Sequence, residues 1–295
     1  MRRPADHTVG LLAAGFAFTV WGFFPLFFKQ LDALPPAEIL AWRIVCSFLT
    51  LATVMVFVPG PRRILAQMRA HRHSWLVFAA AILISVNWLI FIHAITHEQI
   101  LESSLGYFLV PIVNTALGMA FFAERPDRWR QASMVMAACG MGAVFVVADT
   151  APWISLSLAA SFGLYGAVRK AVDLDSATGL LCETTLLVPI AVLYLVAFGT
   201  APSEVPDVTR HWLMASGVLT LVPLFAVVVA ARRIEMGTLG FFQYITPVMH
   251  FGLAVSIYGE TLDLARQLAF ATTLCAVGLW MAGAEAERRR RHTRE

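Results

Sequence analysis

The feature that most constrains this chain is an internal repeat, in which residues recur 136 positions apart without a gap (247 − 111 = 136). The matching pairs are Pro111 and Pro247, Leu117 and Leu253, Glu124 and Glu260, Asp127 and Asp263, Arg130 and Arg266, Gln131 and Gln267, Cys139 and Cys275, and Gly142 and Gly278. A second, weaker match pairs Phe18, Trp21 and Gly22 with Phe162, Tyr165 and Gly166 at an offset of 144 (162 − 18 = 144). The chain is therefore predicted to be a duplicated unit, with one copy over 1–150 and the other over 151–295.

The composition places both copies in a membrane. Hydrophobic residues make up 59% of the chain, charged residues only 14%, and the mean hydropathy is +0.72, whereas a soluble domain carries about 25% charge. Apolar runs long enough to cross a bilayer predict an all-α integral membrane protein with ten transmembrane helices. They lie near 8–28, 36–58, 74–95, 100–122, 131–148, 152–168, 177–198, 211–231, 236–258 and 267–284. A soluble bundle would need ten helices without a polar face and a β-barrel would need alternating strands, so neither is favoured.

The basic residues predict the orientation. If the N-terminus is cytoplasmic, eighteen of the 22 Lys and Arg residues fall on the cytoplasmic side and only Lys29, Arg210 and Arg266 on the other, with Arg43 inside a span. This positive-inside bias predicts that both termini are cytoplasmic. The arginines after the last span are explained by topology alone, so they do not require a nucleic-acid partner.

Motifs for catalysis or for ATP hydrolysis are missing from the sequence. It contains no Walker loop, no HExxH helix, no GxSxG elbow and no Cys/His metal grid, and the four cysteines all fall inside predicted spans. We therefore expect no cofactor, no metal and no enzymatic activity. Any uphill transport would have to draw on an ion gradient or a partner.

The odd number of spans in each copy predicts how the copies are related. Five spans per copy mean that the second copy enters the membrane from the opposite side, so the repeats are inverted. Inverted repeats allow two halves of one fold to exchange inward-open and outward-open shapes around a central site. A duplication that only enlarges the bundle is the alternative.

Ionisable side chains inside a bilayer are costly and are functional candidates by default. Arg43, Glu102 and Glu183 lie within the predicted spans, and Glu38 lies at the mouth of the second. Arg43 could form a structural ion pair with Glu102 or Glu38. Glu183 could pair with a basic residue such as Arg169, or it could couple transport to protons.

Polar and aromatic residues at mid-span depth are the candidate lining of a central cavity. Asn87 either contacts substrate or forms a hydrogen bond between helices. The predicted substrate-binding set is Asn87, Trp88, Tyr107, Tyr165, Gln243 and Tyr244. Among these, Tyr107, Gln243 and Tyr244 lie shortly before the repeat prolines, which are expected to kink their helices.

Several segments, taken together in order and spacing, resemble RarD-type permeases of the EamA group of drug/metabolite transporters. They are 36–43 (PAEILAWR), 87–92 (NWLIFI), 101–108 (LESSLGYF) with Pro111, 161–166 (SFGLYG) with Arg169 and Lys170, Glu183 with Thr184, and 238–245 (TLGFFQYI) with Pro247. The resemblance implies a bacterial inner-membrane protein with ten helices in two EamA units and a central cavity. It also implies the family's association with chloramphenicol sensitivity, which does not establish a substrate.

The leading hypothesis is thus a secondary transporter for a small metabolite or drug, working by alternating access. Two alternatives are an intramembrane enzyme acting on lipid, which would require a clustered acid/base or metal set, and a lipid flippase, whose cavity would open sideways to the bilayer. The sequence leaves the substrate, the direction of transport, the coupling ion and the oligomeric state open.

Overall fold

A computed structural model describes residues 4–57, 75–147, 152–172, 176–201 and 204–292. The linker at 59–73, with four of the arginines used to predict the topology, lies outside these ranges. The described residues form helices and no strand. The helices are α1 (Pro4–Gly22), α2 (Phe24–Phe28), α3 (Pro36–Phe57), α4 (Trp75–Thr96), α5 (Ile100–Phe122), α6 (Arg128–Val147), α7 (Trp153–Ala171), α8 (Ser176–Phe198), α9 (Asp207–Ala231), α10 (Met236–Phe242), α11 (Ile245–Ser256) and α12 (Leu264–His292).

Seven segments of the described chain are long and apolar enough to span a membrane. They are Asp6–Leu31, Pro36–Met55, Trp75–Thr96, Ile100–Phe122, Thr178–Phe198, Asp207–Ala231 and Leu264–Gly283. The other three predicted spans correspond to α6, to α7, whose last turn carries Arg169 and Lys170, and to α10 with α11. A turn at Gln243 and Tyr244 separates α10 from α11, just before Pro247.

The helices pack in pairs that cross between the two halves of the sequence. The most extensive contacts join α6 with α12, α5 with α7, α3 with α9, α4 with α7 and α3 with α8. In addition α1 packs on α9 and α11, α5 packs on α11, and α4 packs on α8. The two sequence halves are therefore intertwined instead of forming two separate bundles.

Small residues allow the closest crossings, as expected of helices that associate in a bilayer. Gly163 of α7 lies so near α5 that a Cβ atom there would come within 2.8 Å of Val113 Cγ1. Ala159, one turn earlier on the same face, is 1% exposed. The spacing of Ala159 and Gly163 is thus explained by packing.

We call one end of the bundle the Glu260 end. Lys29 forms an ion pair there with Glu98 (Nζ to Oε1, 3.6 Å), and Glu38 accepts hydrogen bonds from the backbone N–H and the hydroxyl of Thr200 (3.1 and 2.8 Å). The largest hydrophobic core cluster covers this end, and it includes Phe27, Phe28, Ile39, Phe91, Ile95, Ile100 and Leu105. Side chains from α2 to α5 thus pack together at the Glu260 end.

The opposite end, the Glu124 end, contains the last turns of α5, α7 and α9 and the first turns of α1, α6, α8 and α10. Lys170 Nζ and Glu124 Oε1 are 2.6 Å apart there, and Gly10 of α1 lies against Arg233. Both Lys170 and Glu124 side chains are about half exposed, at 56% and 52%.

Candidate functional site

Arg43 lies deep in the contact between α3, α4 and α9. Its side chain is buried, and its Nε donates a hydrogen bond to Thr220 Oγ1 (3.1 Å). The guanidinium carbon lies 4.1 Å from the centre of the Trp88 ring, with Phe28 at 5.2 Å and Phe24 at 5.6 Å. Three aromatic rings thus surround the cation, which is a favourable arrangement because of the negative ring faces.

The predicted ion pair of Arg43 with Glu38 or Glu102 does not form in the described part of the chain. Glu38 is bound to Thr200 at the Glu260 end, and the carboxylate of Glu102 accepts from the Ser155 hydroxyl. The sequence placed Arg43 two turns into the second span, Glu38 at its mouth and Glu102 near the start of the fourth, but it could not say which helix faces each of them. Arg43 Nη1 is left without a hydrogen-bond acceptor among the described residues.

Asn87 links α4 to α7. Its amide donates to the backbone oxygen of Leu158 (3.1 Å) and to Ser161 Oγ (3.0 Å), and its oxygen accepts from the Tyr107 hydroxyl (3.4 Å). Of the two predictions for Asn87, the hydrogen bond between helices is therefore present in the structure. Asn87 holds the Tyr107 ring in place, where Phe162 packs against it edge-on at 6.1 Å.

Tyr165 and Glu183 form a second polar group between α7 and α8. The Tyr165 hydroxyl donates to Glu183 Oε2 (3.3 Å), and Arg169 Nη1 lies 3.5 Å from Glu183 Oε1. Glu183 is fully buried. Of the basic partners predicted for Glu183, the structure selects Arg169.

Gln243 lies on a cavity of about 310 Å³ at the Glu124 end. The cavity is lined by Pro111, Asn114, Thr115, Glu124, Arg125, Pro126, Arg130, Gly240, Gln243 and Trp280. The neighbouring Tyr244 turns away from it and stacks on Phe108, with ring centres 6.2 Å apart. The six predicted substrate-binding residues therefore lie in five places: Gln243 on the cavity, Asn87 with Tyr107, Trp88 on Arg43, Tyr165 on Glu183, and Tyr244 on Phe108.

His250 belongs to the same interior and was not predicted. It is buried, its Nε2 lies 3.2 Å from the Trp21 carbonyl oxygen, and its ring stacks on Phe91 at 5.5 Å. The sequence feature that could have identified His250 is its position as a polar residue in the middle of a predicted span, three positions after Pro247. The described residues hold no group of three potential metal ligands.

The two repeat glutamates make different contacts. The carboxylate of Glu260 accepts hydrogen bonds from the backbone N–H groups of Ile100 (2.6 Å) and Leu101 (2.9 Å), the first turn of α5. Burial raises the pKa of Glu260 above its ordinary value, and the two N–H donors oppose that rise. The helix start that corresponds to the start of α5 in the other repeat is that of α10 (100 + 136 = 236). The carboxylate of Glu124 binds Lys170 instead.

The backbone next to the repeat prolines differs in the same way. At the Glu260 end the Ser104 hydroxyl donates to the Pro247 carbonyl oxygen (2.7 Å) and ties α5 to α11. The corresponding residues are Gly240 and Pro111 (104 + 136 and 247 − 136), and both line the cavity. A closed contact at one end thus corresponds to open space at the other.

An arrangement of buried charge, aromatic rings and an end-opening cavity inside an all-helical membrane bundle is typical of a membrane transport protein, and comparison with known proteins agrees. Residues 8–146 match the EamA-like transporter family. A protein of Vibrio cholerae described as an uncharacterized transporter is 38% identical over 90% of this chain and 89% of its own. Protein RarD of Salmonella typhimurium is 37% identical over 93% of this chain and 95% of its own.

The chain belongs to the EamA-like transporter family, and within it to the RarD type. The resemblance of the sequence segments to RarD-type permeases is thereby confirmed. A crystal structure of another protein superposes with a TM-score of 0.59 over 97% of this chain and 99% of that one, at 15% identity, which is a likeness of fold alone.

Proposed function

We propose that this protein is a secondary transporter for a small metabolite or drug in a bacterial inner membrane. In this proposal ten helices form two inverted five-helix units, over 1–150 and 151–295, that alternate access to a central site. The Glu124 end faces the cytoplasm, and the structure is inward-open. The unequal contacts of Glu124 and Glu260 are the observation that carries the proposal.

The local backbone around the two glutamates is alike, so the difference between them is not local. The Glu124 N–H bonds the Gly118 carbonyl oxygen (3.1 Å), and the Glu260 N–H bonds that of Ala254 (2.9 Å). Asp127 Oδ1 then accepts from the Arg130 N–H (2.8 Å) and Asp263 Oδ1 from that of Arg266 (2.7 Å), which caps α6 and α12 in the same manner. What differs is whether the start of the neighbouring helix lies within reach.

The helix contacts also support a two-fold relation. A two-fold axis that relates the copies would exchange α1 with α7, α3 with α8, α4 with α9, α5 with α11 and α6 with α12. This exchange converts the α5–α7 contact into the α11–α1 contact, and the α3–α9 contact into the α8–α4 contact. The α4–α7 contact becomes α9–α1, while α6–α12, α3–α8 and α5–α11 map onto themselves. Each of these contacts occurs in the molecule, as expected of two inverted copies that surround one axis.

The distribution of charge supports the assignment of sides. The described Glu124 end carries Arg125, Arg128, Arg130, Arg169, Lys170, Arg232 and Arg233, whereas the Glu260 end carries Lys29, Arg210 and Arg266. The positive-inside rule then favours a cytoplasmic Glu124 end with both termini on that side. Asn87, Trp88, Tyr107, Tyr165, Gln243 and Tyr244 remain the proposed surroundings of the substrate path, and Glu183 the proposed proton-coupling residue.

Sided labelling tests the proposal. In a variant with its four native cysteines replaced by serine, a single cysteine in place of Gln243 should react with a membrane-impermeant maleimide in inside-out vesicles. It should react at least about tenfold more slowly in right-side-out vesicles, because the Glu260 end is closed. A cysteine in place of Thr261, exposed at the Glu260 end, is the control with the opposite sidedness. Equal reactivity of the Gln243 position from both sides would contradict a single inward opening.

A further inference from the structure

Arg43 presents a buried cation whose hydrogen-bonding capacity is only partly used. It is 3% exposed, its Nε is bound to Thr220, and its Nη1 has no acceptor among the described residues. In that part of the chain Arg43 also makes no ion pair, since Glu38, Glu102 and Glu183 are each bound elsewhere. The three aromatic rings stabilise the charge, but a contact with a ring is weaker than a hydrogen bond from a guanidinium N–H to an oxygen acceptor.

A second unpartnered donor lies on the same face of α3. Ser47 is fully buried, and its hydroxyl has no hydrogen-bond partner among the described residues. Residues four apart on a helix are neighbours on its surface, so Ser47 follows Arg43 by one turn toward the Glu124 end. Buried polar groups are nearly always satisfied, so two adjacent orphans of the same kind indicate a missing acceptor.

We propose that Arg43 and Ser47 bind the carboxylate of the transported substrate, and that this substrate is a small organic monoanion with an apolar body. This inference rests on the proposed transport function. A guanidinium binds a planar carboxylate through two parallel N–H bonds, and a hydroxyl one turn away can donate a third. The site therefore selects for a carboxylate over a neutral group.

The surroundings define the rest of the ligand. Besides the Thr220 and Ser47 hydroxyls, the neighbours of the Arg43 cation are the rings of Phe24, Phe28 and Trp88, and among the described residues no second cation lies there to balance a second negative charge. Toward the middle of the bundle the next rings are those of Phe91 and Tyr107, 5.9 Å apart. A single carboxylate on an aromatic or branched aliphatic body fits this environment, whereas phosphate and sulfate do not.

The test is a binding measurement on the purified full-length protein in detergent, which requires no transport. The probes are benzoate, phenylacetate and 4-methylvalerate, with benzamide as the uncharged isostere and sodium chloride at equal ionic strength. A ligand that binds only the folded state raises the melting temperature as its concentration rises. At least one monocarboxylate should do so, while benzamide and chloride should not.

Substitution then locates the site. R43M should weaken that binding at least about 30-fold, because a buried charge-pair partner is removed. R43K should weaken it less than R43M does, since it keeps the charge but loses the two-pronged geometry, and S47A should weaken it about three- to tenfold. R210Q, which changes an arginine at the Glu260 end, is the matched control and should bind like the wild type.

Three results would overturn the inference: no binding of any of the three monocarboxylates, equal stabilisation by chloride or benzamide, or unchanged binding by both R43M and S47A. Should R43M fold poorly, S47A and T220V, which removes the acceptor of Arg43 Nε, decide the question. Sided labelling of the Gln243 position is independent of this binding. The labelling result can therefore support the transport proposal even if no carboxylate binds. Conversely, carboxylate binding can be detected even if the labelling contradicts the transport proposal.

Discussion

Removal of the Glu260 carboxylate should open the Glu260 end. Ile100 and Leu101 are each 1% exposed, and their N–H groups have the Glu260 oxygens as acceptors at 2.6 and 2.9 Å. A buried donor that loses its acceptor costs about 1–3 kcal/mol, so E260A should destabilise the closed end by at least about 2 kcal/mol. That corresponds to a shift of roughly 30-fold in the ratio of closed to open molecules.

The hydrogen bonds, and not the charge, should supply most of this effect. The pKa of Glu260 is raised by burial in spite of its two N–H donors, so the negative charge itself gains little from the site. E260Q keeps one oxygen acceptor and should therefore shift the ratio by only about fivefold, or about 1 kcal/mol. D263N, in the same loop, removes a charge but keeps an oxygen that can cap α12, and it should leave the ratio unchanged.

The assay is the distance between spin labels at positions 97 and 261, both exposed at the Glu260 end. E260A should add a longer-distance population, and E260Q a smaller one. E124A should do the opposite, because the Glu124–Lys170 pair is about half exposed and worth little in the present state, whereas Glu124 would cap α10 in the other state. An unchanged distance distribution in E260A, or a shift in the same direction in E124A, would refute the reasoning.

Three further predictions follow from single side chains. N87L should remain folded and in the membrane, because each lost interhelical hydrogen bond averages only ~0.6 kcal/mol, but it should lose most transport, because Tyr107 loses its partner. The yield of folded protein measures the first effect and solute uptake the second. Normal uptake would contradict the assignment of Asn87. E183Q should abolish pH-driven accumulation and spare downhill exchange, as measured in proteoliposomes; continued accumulation against a gradient would make Glu183 only the ion-pair partner of Arg169. K170Q should release Glu124 and increase the population with the longer distance between positions 97 and 261, as E260A does. The increase should be less than about fivefold, because the Lys170–Glu124 pair lies at the surface. A shift toward the E124A distribution would show that Lys170 and the start of α10 do not compete for Glu124.

The sequence predicted the membrane class, the family and most helix boundaries, because apolar runs and repeat offsets are properties of the chain itself. It did not predict which helices face each other. Both Arg43 and Glu102 are charged residues within predicted spans, yet Arg43 meets Trp88 and Thr220 while Glu102 meets Ser155. Those partners depend on packing between distant segments.

The repeat prolines illustrate the same limit. Pro111 lies inside the continuous helix α5, whereas Pro247 follows the break between α10 and α11. Both prolines remove one backbone hydrogen bond, but only the second copy separates into two helices. Identical residues in the two repeats thus adopt different structures, and a sequence match cannot report that difference.

A structure of the E260A variant in lipid nanodiscs tests the central claim most directly. We expect that the Glu124 carboxylate leaves Lys170 and lies within about 3 Å of the N–H groups of residues 236 and 237, at the start of α10. The Ser104–Pro247 bond should then be broken, and the cavity beside Gly240 should be closed. If the Glu260 end opens while Glu124 stays on Lys170 and that cavity remains, the two ends do not alternate and the inverted-repeat mechanism is contradicted.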